Sequence, residues 1–243
     1  MRNFVFDLYG TLVDISTNEN SQKFWDRFTA YSAKTYGAGG GIRREFEDIL
    51  AGYTGYREPD ICEVLRLAVQ KSGGNITVRQ SREAAEMFRA LSTRRLKLYH
   101  GAAKLLKTLT SNGARVFLLS NAQSAFTMPE LEKLGLINYF YGIALSSDFG
   151  WKKPSPAFFD YLITKYHLSI GETIYIGNDI SCDIVPAAAA GMKTAYILSE
   201  ISPPGDSVRL ASSIAGFATD DFGSLCEYLI SEASRLSQDF HRA

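Results

Sequence analysis

The sequence predicts an α/β fold: a doubly wound, mainly parallel Rossmann-like sheet carrying an inserted helical bundle. Three observations predict it. Short β-rich apolar runs recur along the chain, helical patterns separate most of them, and one long stretch near the start is helical only. Strands that alternate with helices favour right-handed βαβ units and a parallel sheet covered on both faces. With 243 residues, 46% of them hydrophobic, the chain is long enough for one sizeable core plus a smaller insert.

Phe4-Val5-Phe6 ends abruptly at Asp7 and Gly10, which reads as a buried strand followed by a turn. Strand-like runs follow at 115–119, 143–145, 173–176 and 194–198. Helical patterns lie at Ala102 to Asn112, Pro129 to Leu134, Pro156 to Tyr166 and Ile184 to Ala190. Between about Asn20 and Arg95 no strand-like run is evident, and apolar residues recur at helical spacing. Phe24, Phe28 and Tyr31 mark one face, Phe46, Ile49 and Leu50 a second. Val64, Leu65, Leu67 and Ala68 mark a third, and Ala84, Met87, Phe88 and Leu91 a fourth. Breaks fall at 37–41 and 72–75, and the segment 75–77 supplies a cap for the last helix. Residues 1–15 and 96–243 are thus expected to form the α/β core, with 16–95 a helical module inserted after the first strand. Pro203-Pro204-Gly205 marks a surface loop.

Acidic and basic residues balance at 26 each, without the one-signed surface that binds nucleic acid or anionic membrane. Cys62, Cys182 and Cys226 are widely spaced and odd in number, so buried thiols in a reducing compartment are expected. No apolar run reaches membrane-spanning length, and Met1 leads directly into the first strand; a cytoplasmic protein is the expectation.

In such sheets ligands bind outside the carboxyl ends of the strands. Four polar clusters fall there. Asp7-Leu8-Tyr9-Gly10-Thr11-Leu12 offers a carboxylate beside a sharp turn, and Ser120-Asn121 a hydroxyl and an amide for anionic oxygens. Lys152-Lys153-Pro154 offers a cation. Gly177-Asn178-Asp179 with Asp183 is an acidic group suited to an oxygen-preferring ion such as Mg2+. Singly each has an ordinary explanation: turn chemistry for Asp7, helix capping for Ser120, a solvated lysine, and a turn with a helix-start acid. Their joint occurrence, in the order acid, hydroxyl, lysine, acid pair, is what carries information.

Together the clusters resemble the four motifs of the haloacid dehalogenase superfamily. Phe6 through Leu12 is similar to the first, Leu119-Ser120-Asn121 to the second, and Lys153 through Phe159 to the third. Ile176 through Asp183, followed by Ala188-Ala189-Ala190-Gly191-Met192, is similar to the fourth. The insert resembles the helical cap that many members carry. The resemblance implies that Asp7 is a nucleophile forming a covalent aspartyl intermediate. It implies that Thr11, Ser120, Asn121 and the backbone at Leu8 and Gly10 bind oxygens of the transferred group, and that Lys153 holds nucleophile and substrate together. Magnesium would be bound by Asp7, the Tyr9 carbonyl and fourth-motif residues among Asn178, Asp179 and Asp183.

Two departures stand out. Phosphatase members usually place a second Asp two residues after the nucleophile, where this chain has Tyr9, a phenol of reference pKa near 10. Asn178 stands where an acid commonly follows the glycine. Mg-dependent hydrolysis of a small phosphate ester is the leading expectation. Metal-independent 2-haloacid dehalogenation and a catalytically weak binding protein are the alternatives. Tyr53, Tyr56 and Arg57 read as a solvated helix end that alternatively faces the site, and His100 and His167 as structural. Trp151 is close enough in sequence to Lys153 to shape the pocket wall.

Overall fold

The computed structural model describes residues 2–239. The chain opens with β1 (Asn3–Phe6), whose four residues are all buried. After β2 (Val13–Thr17) come four helices, α1 (Gln22–Tyr36), α2 (Ile42–Ala51), α3 (Ile61–Lys71) and α4 (Val78–Ser92), and then β3 (Thr93–Leu98). The remainder alternates: α5 (Ala102–Ser111), β4 (Arg115–Ser120), α6 (Ser124–Lys133), β5 (Gly142–Leu145), α7 (Ser146–Phe149), α8 (Pro156–Tyr166) and β6 (Thr173–Gly177). A wide π turn over Ile180–Ile184 leads into α9 (Val185–Ala189), followed by β7 (Lys193–Ile197), α10 (Val208–Ala211), β8 (Phe217–Thr219) and α11 (Phe222–Asp239).

Among the described residues, six parallel strands form one sheet in the order β5-β4-β1-β6-β7-β8. Successive side chains of a strand point to opposite faces. Phe4 and Phe6 therefore pack with Leu105, Leu109, Leu225 and Leu229 of α5 and α11 on one side. Val5 packs with Phe158, Phe159 and Leu162 of α8 on the other. Each such fully buried side chain contributes roughly 1.5–3 kcal/mol, so both faces hold β1 at the centre. Because β1 lies between β4 and β6, the chain winds outward in two directions from it, which leaves a crevice at its carboxyl end.

The four helices α1–α4 have their own core of Phe24, Trp25, Phe28, Phe46 and Phe88, joined by Phe126 from α6. Phe88 and Phe126 stack with ring centroids 6.3 Å apart and planes within 3°. Helix ends follow local chemistry: Ser21 and Asp60 cap α1 and α3, and Thr77 with Gln80 forms a capping box at α4. Tyr31, Ile49, Leu50, Met87 and Leu91 of the expected faces are only partly buried. The link to the α/β core is the antiparallel pair β2·β3, which the sequence reading missed. Its register sets Ser16 opposite Arg95, while Arg95 and Lys97 both reach Asp14.

Other expectations need correction. The helix expected from Pro129 begins at Ser124 and runs through Pro129, the packing of Phe126, Thr127 and Leu131 offsetting the missing N–H. The helix expected from Ile184 begins one turn earlier as the π turn. The three thiols are half-buried rather than buried, and all are unpaired. No helix among the described residues is long and apolar enough to cross a membrane.

Candidate active site

At the carboxyl end of β1 the Asp7 N–H donates to the Ile176 carbonyl at 2.8 Å, which fixes the residue one step beyond the sheet. The turn after it is closed by the Leu8 carbonyl, which accepts from Leu12 and Val13 at 2.8 and 3.0 Å. Gly10 sits in that turn at φ +84°, and a Cβ there would lie 2.4 Å from the Asn178 amide nitrogen. Only glycine meets both conditions.

Asp7, Ser120, Lys153 and Asp183, from four different segments, form one connected group. Ser120 Oγ and Lys153 Nζ donate to Asp7 Oδ1 at 2.9 and 2.8 Å. Lys153 Nζ also donates to Asp183 Oδ1 at 2.6 Å and to the Tyr175 hydroxyl at 3.0 Å. The other Asp183 oxygen accepts the backbone N–H groups of Asn178 and Asp179, each at 3.1 Å. The π turn makes this possible by bending the Asp183 carboxylate back over the end of β6, where a Cβ on Gly177 would lie 2.4 Å from it. Burial disfavours a charged Lys153, but Asp183 and Asp7 outweigh it and hold the ammonium well above the usual lysine range. Burial pushes the Asp183 carboxyl up to about 6, with Lys153 opposing and Asp7 reinforcing the shift. The site is therefore one buried cation between two carboxylates.

A cavity of about 190 Å³ opens beside this group, lined by Asp7, Tyr9, Asn121, Asp179 and Cys182, with Ile201 and Pro203 at its edge. Pro203 of the expected surface loop thus also lines the site. Cation donors here are oxygens: the second Asp7 carboxylate oxygen, the Asn178 side-chain oxygen, Asp179 and the backbone near Tyr9. That set suits a hard divalent ion such as magnesium, although the Asp183 oxygens are already engaged by Lys153, Tyr175 and two amides.

The remaining expected residues occupy defined places. Thr11 is fully buried, and its hydroxyl donates to Asn178 Oδ1 at 3.4 Å rather than facing the cavity. Leu8 is 1% exposed, so only its backbone faces the turn. The Asn121 side chain bonds the Lys153 backbone twice, at 3.0 and 2.7 Å, and so pins the lysine loop. Asp179 caps the π turn through Ser181 and Cys182 N–H. Asn178 also donates to Ser199.

Tyr9 turns its phenol toward α6, with Glu130 Oε2 at 2.5 Å and Thr127 at 3.0 Å. Glu130 in turn accepts from Arg89 of α4 at 2.6 Å, and Arg89 lies 5.6 Å from the Tyr9 ring centroid. Burial and the adjacent Glu130 carboxylate push the phenol far above its ordinary range, so it stays neutral. Sequence reasoning missed Tyr175, Glu130 and Arg89. Tyr175 alone had a signal, since a tyrosine within a buried strand needs a polar partner. His100 and His167 are exposed, and neither lines this cavity. Tyr53 and Tyr56 are exposed, while Arg57 lies 5.3 Å from the Trp151 ring centroid; none of them lines the cavity.

The profile of the haloacid dehalogenase-like hydrolases matches residues 1–191. Among curated proteins, the chain is 31% identical over 103 residues to a glyceraldehyde 3-phosphate phosphatase of Methanocaldococcus jannaschii, covering 42% of this chain and 45% of that protein. It is 28% identical over 193 residues to a phosphoglycolate phosphatase of Yersinia pseudotuberculosis, covering 79% and 78%. For the first of these, the chain spans about half the relative's length. A crystal structure of an HAD phosphatase from Thermococcus onnurineus shares the fold at a TM-score of 0.63 and 20% identity, covering 94% of this chain and 98% of that one. The chain belongs to the haloacid dehalogenase-like hydrolases.

Proposed function

We propose that this hydrolase cleaves the phosphate ester of a small metabolite, with Asp7 as nucleophile and residues 16–95 as a cap over the site. The observation that carries this is the Asp7–Lys153–Asp183 chain of contacts beside a polar cavity. Ser120 and Lys153 orient the Asp7 carboxylate by hydrogen bonds to one of its oxygens, and the carboxylate so fixed attacks phosphorus. The ester P–O bond breaks as the Asp7–phosphorus bond forms, and the alcohol leaves after its oxygen takes a proton from solvent. Water then attacks the phosphorus of the aspartyl phosphate, its proton passing to solvent, and the acyl-phosphate P–O bond breaks to release inorganic phosphate and regenerate the Asp7 carboxylate. Lys153, kept protonated between two carboxylates, offsets charge on the phosphoryl oxygens. Magnesium would be held by residues among Asp7, the Tyr9 carbonyl, Asn178, Asp179 and Asp183, and would supply further charge neutralisation when bound.

The Tyr9 phenol is tied to Glu130 and Thr127 and stays neutral, so it is not the base that activates water. Its role is to hold the turn against α6. Relatives named as phosphatases support phosphorus over carbon as the target. The test is phosphate release from a generic aryl phosphate with magnesium and with chelator, alongside halide release from a short 2-haloacid. Magnesium-dependent phosphate release supports the assignment; chelator-indifferent halide release refutes it.

A further inference from the structure

A second cavity, of about 290 Å³, adjoins the one beside Asp7 and shares Tyr9 and Asn121 with it. It lies between the helical unit and the α/β core. Ile15, Ala122 and Phe126 give it apolar walls, and Glu19, Glu58 and Gln123 give it polar ones. Arg89 is the one cation among the described residues that line it.

That cation is already engaged. Arg89 donates to Glu130 at 2.6 and 3.3 Å and lies 3.7 Å from Glu19. Glu58 accepts from Gln123 at 2.7 Å, and Lys152 approaches its other oxygen only to 3.8 Å. Burial raises the Glu58 carboxyl above its ordinary range. Two carboxylates, Glu19 and Glu58, thus line the chamber against one cation, Arg89, which is itself paired with Glu130. An anionic group entering it would lose water and meet like charge with no unengaged partner. Hydroxyl or ammonium donors would find carboxylate and amide oxygens.

Resting on the phosphatase assignment, we propose that this chamber receives the alcohol end of the substrate and selects against negative charge there. A neutral or cationic polyhydroxy or amino alcohol is accepted; an alcohol bearing a carboxylate or a second phosphate is rejected. The volume, near the lower end of roughly 300–1,000 Å³ for ligand clefts, suits an alcohol of a few carbons.

The test compares glycerol 3-phosphate with 3-phosphoglycerate, which differ by a hydroxymethyl group against a carboxylate, at low ionic strength. Wild-type kcat/KM is expected to favour glycerol 3-phosphate by about tenfold or more, the scale of one like-charge encounter at a half-buried site. Glu58→Gln is expected to narrow that ratio, and Glu19→Gln with Glu58→Gln to narrow it further, with folding checked by circular dichroism. Equal or reversed preference in the wild type, or a ratio unchanged by either variant, overturns the proposal. If the wild type hydrolyses neither ester nor an aryl phosphate, the phosphatase assignment fails by itself. Calorimetric binding of the same two esters then decides the charge selectivity: a tenfold preference for glycerol 3-phosphate sustains it, and parity overturns it.

Discussion

Replacing Glu130 by alanine would remove the carboxylate that joins Tyr9 to Arg89 across the two units. The Arg89 and Glu130 side chains are only 15% and 9% exposed, so the loss is not that of a surface pair. Removing one partner of a buried ion pair costs about 3–5 kcal/mol, mostly from the charge left behind. Arg89 keeps Glu19 at 3.7 Å and the Phe126 ring at 5.1 Å, which lowers the expected cost to about 2–3 kcal/mol. Glu130→Gln keeps volume and one acceptor and is expected to cost about 1–2 kcal/mol. Replacing Arg89 and Glu130 together by methionine is expected to cost less than the sum of the single changes, by at least about 1 kcal/mol. Urea unfolding followed by tryptophan fluorescence reads this directly, because Trp25 lies in the core of the helical unit. A Glu130→Ala cost below about 0.5 kcal/mol, the level of a surface substitution, would refute the reasoning, as would strict additivity in the double variant.

Gly10→Ala forces a side chain onto φ +84° and against Asn178; a loss of about 1–3 kcal/mol and a slower aryl phosphatase rate are expected, measured by unfolding and initial rates. Lys153→Met leaves Asp7 and Asp183 facing each other without a cation. Activity should fall by at least about a hundredfold, and stability relative to wild type should drop further at pH 8 than at pH 5, since Asp183, pushed up to about 6 by burial, ionises between those pH values. Glu58 has a raised folded-state pKa, so its contribution is fully present below the unfolded value of 4.5 and is lost as pH rises through the folded value. Glu58→Gln is expected to remove that decline; identical pH–stability curves for the two proteins would refute it.

The sheet was legible because its strands are buried on both faces and so read as continuous apolar runs: Phe4 to Phe6, Val116 to Leu119 and Ile174 to Ile176 are each almost wholly inaccessible. The β2·β3 pair was not. Asp14 and Ser16 interrupt the first strand, and the second, Thr93–Leu98, carries three basic residues on a half-exposed ribbon. The same contrast holds at the site. Asp7, Ser120, Lys153 and Asp183 announce themselves by following apolar runs, and the structure brings all four into contact. Glu130 and Arg89 lie inside amphipathic helices, where a charged residue ordinarily signifies solvent. Only packing α4 against α6 turns them into a buried pair beneath Tyr9. Asn121 shows the complementary limit: its position after β4 was readable, but not that both its polar atoms would be consumed by the Lys153 backbone.

The most direct measurement is phosphate release from an aryl phosphate in the presence of magnesium by the wild type and by Asp7→Asn, the latter shown to be folded. A nucleophilic role predicts that the variant loses at least about a thousandfold in kcat with little change in unfolding midpoint. Comparable rates in the two proteins would contradict the assignment of Asp7 as the attacking group.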